Sequence, residues 1–143
     1  MKINIIAVGK ISQDHLKLIE TYKRKIKFYA ELNIIEIKEQ NNQNISIQKS
    51  KETILIKNKI TDNNVYLCSL EGDDYTSIDF SELFKNKENI TFVIGGSHGV
   101  EEKEFNSKIR FSKMTFPHQL FRVFLVEQIY RGLAINNYIK YHK

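Results

Sequence analysis

Hydrophobic positions along this chain fall into two alternating rhythms. Residues 3–8 are nearly continuous in apolar side chains, as in a strand covered on both faces, and Gly9 ends the run. Across residues 13–32, Leu16, Ile19, Ile26 and Tyr29 recur at helical spacing with Lys and Glu between them, which predicts an amphipathic helix. A strand at 34–37, a helix at 47–60 and a strand at 65–70 follow, with the Asn-rich stretch at 39–44 read as a surface loop and a turn at Glu71-Gly72-Asp73. A short helix is predicted at 80–85 and the best central strand at 90–94, stopping abruptly in Gly95-Gly96-Ser97-His98-Gly99. A brief acidic helix and a short strand at 109–112 come next. Pro117 then opens the longest helix, to about residue 136, because a missing N–H is harmless in the first turn. Strands alternating with helices in this order predict an α/β fold with a largely parallel sheet.

Composition narrows the class. The 143 residues, 41% hydrophobic and 27% charged, suit one globular domain spanning 1–143. No apolar run approaches the ~20 residues of a bilayer span, and KINIIAVGK carries no signal-peptide cleavage pattern, so a soluble, cytoplasmic protein without a membrane partner is expected. Cys68 has no cysteine to pair with, and His15, His98, His118 and His142 lack metal-ligand spacing, so no metal is expected. Charge is unevenly placed. The total is +5, yet residues 108–143 hold seven basic side chains against the single acid Glu127, a net +6, and the remainder sums to −1. That imbalance points to a polyanion docking on the C-terminal quarter.

Three features carry candidate chemistry. The strand-loop-helix at 92–100 places glycines where α/β folds bind ligands, although tight strand-to-helix turns also favour glycine. Its Gly-Gly-x-x-Gly spacing is neither a dinucleotide fingerprint nor a P-loop. On the last helix, His118 and Arg122 share a face four residues apart; they form an anion site at the helix start or, equally, a local cap and an ion pair with a surface acid. Glu127 and Arg131, also four apart, are expected to pair. The rest of this helix is apolar around most of its circumference, which predicts a subunit interface as well as core contacts, with Leu125 and Ile129 at the interface. Finally, the tail Tyr138-Ile139-Lys140-Tyr141-His142-Lys143 is either a frayed terminus or a set of groups that stack a base and hold phosphates.

Taken in order, the Gly-Gly-Ser-His-Gly loop, the run FSKMTFPHQLFRVFLVEQIYR, the terminal YHK and the opening KINIIAVGK resemble the ribosomal RNA large-subunit methyltransferase H (RlmH) family of the SPOUT superfamily, across essentially the whole chain. The resemblance implies an α/β fold with a C-terminal trefoil knot, a homodimer, and S-adenosylmethionine as cofactor. It implies methylation of N3 of a pseudouridine in 23S ribosomal RNA, in the context of the assembled ribosome. Carried over by position, the cofactor contacts are Cys68, Gly95, Gly96, Phe111, Ser112, Lys113, Met114, Thr115 and Phe116. Cys68 stands where the family commonly has leucine, and Asn137-Tyr138 replace the family's Gly-containing approach to the tail. Loss of the imide proton at N3 calls for a base, with His118 and His142 as candidates, and Arg122, Lys140, Tyr141 and Lys143 as RNA contacts. The alternative is a non-catalytic RNA-binding or ribosome-associated factor with the same fold. A nucleotide-binding α/β enzyme is disfavoured by the missing phosphate and ribose motifs.

Overall fold

The computed structural model describes all residues, 1–143. Five strands, β1 (Lys2–Val8), β2 (Glu31–Ile37), β3 (Val65–Asp74), β4 (Asn89–Ile94) and β5 (Lys108–Arg110), form one sheet in the order β2-β1-β4-β3-β5. Every pairing is parallel. The helices are α1 (Gln13–Ile26), α2 (Ile45–Lys59), α3 (Ser77–Glu82) and α4 (His118–Asn136), and residues 102–104 make one 3₁₀ turn.

Alternation along the central strands divides the core. Ile3, Ile5 and Ala7 of β1 and Ile90, Phe92 and Ile94 of β4 face the larger cluster, where they meet α1, α3 and α4. Ile6, Val8 and Val93 face the smaller one, with Ile56 of α2. Both faces of β1 and β4 are therefore dry, which is why the two strands read as continuous apolar runs.

The predicted first helix is shorter than its apolar spacing suggests. It stops at Ile26 because Glu31 N–H bonds Met1 O and begins the parallel ladder with Lys2 opposite Glu31. The expected turn at residues 71–73 lies inside β3, as a bulge over which the register against β5 shifts between Cys68 and Asp73. Gly72 is required there, since a Cβ would fall 2.6 Å from the Ile109 backbone. Leu125 and Ile129 are a correction. Both are fully buried in the core of the single chain, so the apolar breadth of α4 reflects packing against α1, α3 and the sheet, not an interface built on those two residues.

Candidate functional site

The carboxyl ends of β3, β4 and β5 lie side by side and enclose a cavity of about 490 Å³, within the ~300–1,000 Å³ usual for small-molecule sites. Its walls come from the β3 bulge, the glycine loop after β4, the run after β5 and the first turn of α4. Gly96 and Gly99 bound a tight turn closed by Gly99 N–H to Gly96 O at 3.0 Å, and Gly99 adopts φ +76°. A Cβ on Gly95 would press on Val100 at 3.0 Å. The glycines thus allow the chain to double back while leaving the floor free of side chains.

The run after β5 is pinned at its ends by aromatic packing. Phe111 lies 5.1 Å from Phe121 and 5.5 Å from Phe80, and Phe116 lies 5.3 Å from Phe124, ring centroid to centroid. Between these anchors, Ser112 Oγ accepts from Met114 N at 3.0 Å. Met114 and Thr115 are exposed along the cavity mouth. On the opposite wall, Ser69 Oγ donates to Glu102 and accepts from Glu71 N, tying the bulge to the segment beyond the glycine loop. Arg110 clamps the bulge too, donating from Nε and Nη2 to Asp74 at 2.7 and 2.9 Å. The Arg110 guanidinium holds the Asp74 carboxyl below its ordinary range, chiefly through that hydrogen bond. With Arg110 neutralised by Asp74, the lining carries two carboxylates, Glu71 and Glu102, and one cation outside any ion pair, Lys49, a balance compatible with a cationic ligand.

Of the nine residues expected at a cofactor, Cys68, Gly95, Gly96, Phe111, Ser112, Met114, Thr115 and Phe116 line this cavity, and Lys113 does not. Lys113 is exposed on the outer side of the run. Burial pushes the Cys68 thiol far above its ordinary range, so it offers surface rather than a nucleophile. His98 lies exposed at the rim. The side chains missed from sequence are those of the bulge and its ties, Ser69, Leu70, Glu71 and Glu102; only Gly72 hinted that β3 would break its ladder there.

The candidate bases are separated. His118 lines the cavity, and its Nε2 bonds the Gly95 carbonyl. A carbonyl only accepts, so Nε2 carries the proton and Nδ1 is the free lone pair of the neutral ring. His142 sits at the other end of α4, where its Nδ1 accepts from Arg131 Nη1 at 3.3 Å. The thirteen helical steps from His118 to Arg131 amount to about 20 Å, so the two imidazoles cannot share one site within a chain.

Two expected RNA contacts are corrected. Arg122 is 1% exposed. It donates from Nη1 to Glu36 at 2.7 Å and from Nη2 to Gly9 O at 3.0 Å, bracing α4 against the ends of β1 and β2. Tyr141 stacks on the protein itself, 4.8 Å from the Tyr130 ring and 4.7 Å from the Arg131 guanidinium, and donates to Glu127 at 2.9 Å. Burial and that carboxylate push its phenol up. Arg131 pairs with Glu127 at 2.5 Å, as the helical spacing predicts. All three arginines of the basic quarter are thereby engaged, and Lys113, Lys140 and Lys143 remain as its exposed cations.

A family model described as "Predicted SPOUT methyltransferase" matches residues 1–142. A Mycoplasma mobile protein named ribosomal RNA large subunit methyltransferase H is 60% identical over the full length of both chains. Proteins of the same name from Mycoplasmopsis synoviae and Clostridium tetani are 54% and 46% identical, again over 100% of each chain. Among solved structures, a Bacillus anthracis protein provisionally named an RNA methyltransferase superposes with a TM-score of 0.55, covering 99% of both chains at 14% identity; that likeness speaks to the fold alone.

Proposed function

The chain belongs to the SPOUT methyltransferase family, and on that premise we propose that it methylates N3 of a pseudouridine in 23S ribosomal RNA, on the assembled ribosome, with S-adenosylmethionine as methyl donor. The names of the full-length relatives support the RNA class. The cavity at the strand ends carries the cofactor half of the reading, since its size, apolar walls and the two carboxylates on its lining fit a sulfonium ligand with an adenine ring. When bound there, S-adenosylmethionine supplies an electrophilic methyl group.

The protein's own work is placement and proton handling. Gly95 and Gly96 keep the floor bare, Cys68 and the aromatic-anchored run supply apolar surface, and Glu71 and Glu102 favour positive charge. The N3 proton must leave for the nitrogen to attack. His118 is suited to take it, because the Gly95 carbonyl holds Nε2–H and orients the ring, so that in the neutral imidazole the lone pair lies on Nδ1. His142 can contribute only from a second copy, so the proposal includes a homodimer in which the tail of one subunit completes the site of the other, with Lys140 and Lys143 on the RNA backbone. The C-terminal trefoil knot and a cytoplasmic location belong to the same reading.

Mapping modified nucleosides in 23S ribosomal RNA with and without the protein tests the activity; an unchanged map refutes it. Calorimetry with S-adenosylmethionine and its demethylated product separates this enzyme from a non-catalytic RNA binder, for which neither compound releases heat. The His142→Ala, Lys143→Ala double variant is expected to lose RNA methylation while binding cofactor normally. A monomer by sedimentation with full activity excludes the shared site.

A further inference from the structure

Helix α2, to which the sequence pattern assigns nothing beyond packing, carries a buried carboxylate directly behind the cavity floor. Glu52 is 0% exposed. Its Oε2 accepts from Gln40 N at 2.8 Å, its Oε1 has no hydrogen-bond partner, and none of the chain's ion pairs includes it. That free oxygen lies against Gly96, where a Cβ would come within 2.9 Å of it, and Gly96 lines the cavity. The next residue, Thr53, accepts from Glu101 N at 3.0 Å. Consecutive side chains of α2 therefore reach the glycine loop and the segment just after it, Glu52 by contact at Gly96 and Thr53 by a hydrogen bond at Glu101.

A buried carboxylate oxygen without a donor is unfavourable, and a glutamine of the same shape would keep the bond to Gln40 without burying an ionisable group. We propose that Glu52 is a positioning residue for the cofactor site: its Oε1 fixes the height of Gly96 and accepts a backbone N–H of the glycine loop when the loop settles on bound cofactor. The absence of a side chain at Gly96 follows, since any Cβ would displace the acceptor. The proposal rests on the cofactor assignment above.

Glu52→Gln is the discriminating variant, because its amide oxygen can take the Gln40 N–H and its NH₂ then faces Gly96, exchanging the acceptor there for a donor at nearly constant shape. Ligand-free Glu52→Gln is expected to melt close to the wild-type temperature, one unpaired buried polar group replacing another, yet to bind S-adenosylmethionine and its uncharged demethylated product at least about tenfold more weakly. Wild-type affinity for both compounds in that variant overturns the proposal. So does a loss confined to the charged cofactor, which would mean direct attraction to the sulfonium. If the variant does not fold, hydrogen exchange on the wild type decides: the amides of residues 96–97 gain protection when the product binds, and no gain overturns the assignment. A wild-type protein that binds neither compound removes the cofactor reading and this one together; binding with an unaffected Glu52→Gln removes this one alone.

Discussion

Replacing Arg122 with methionine distinguishes a structural guanidinium from an RNA-binding one. The side chain is almost wholly buried, and losing it removes a charge-assisted bond to Glu36 and bonds to the Gly9 and Val8 carbonyls. The first of these stabilises by roughly 1.5–3 kcal/mol and each carbonyl bond by about 1 kcal/mol. Methionine fills most of the space and releases a desolvated cation whose Nε has no partner. Glu36, with its side chain 39% exposed, can rehydrate and still accept from Ile11 N. The net loss is then about 2–4 kcal/mol. For 143 residues, an unfolding entropy near 2.1 cal/mol/K per residue gives about 0.3 kcal/mol/K, so a 3 kcal/mol loss lowers Tm by about 10 °C. Calorimetric melting measures that shift. RNA affinity as a function of salt, taken well below the melting range, is expected to keep its wild-type slope, because a buried cation displaces no counterions. A Tm within about 2 °C of wild type together with a slope reduced by about one would refute the structural assignment.

Other substitutions probe the cavity walls. Gly72→Ala drives a Cβ into the Ile109 backbone; a loss of about 1–3 kcal/mol in urea unfolding and weaker cofactor binding are expected, and no change in either would show that the β3 bulge can relax. Asp74→Asn tests the Arg110 clamp by pH. The folded Asp74 pKa is depressed, so its stabilisation is full above the ordinary carboxylate value near ~3.9 and fades as pH falls through the lower folded value. The Tm gap between wild type and Asp74→Asn should be constant near neutrality and close in strong acid, and a gap that widens on acidification contradicts the sign. Cys68, its thiol raised by burial, should alkylate far more slowly at pH 8 in the folded protein than in urea; equal rates would mean that the thiolate is accessible.

The sequence alone determined the alternation of elements and the parallel sheet, because those depend on local pattern: dry central strands read as apolar runs. Glycines marked the turn at Gly95 and Gly96 as either a ligand loop or a structural turn, and the other cofactor positions came from the family resemblance. Pairing between Glu127 and Arg131 was also legible, being set by helical spacing within one element. Partners far apart in the chain were not. Arg122 carries the charge of an RNA contact, and only packing α4 against the ends of β1 and β2 buries it, 86 residues from Glu36. Glu52 reads as a polar position on an ordinary helix until tertiary packing brings it beneath Gly96. Distance likewise decides the two histidines, since a spacing in sequence becomes opposite ends of a rigid helix. The +6 segment predicted a polyanion site from its total charge, but free charge depends on which cations find acids in space. Folding pairs all three of its arginines with Asp74, Glu36 and Glu127, and two of those acids lie in the first 107 residues, outside the basic segment.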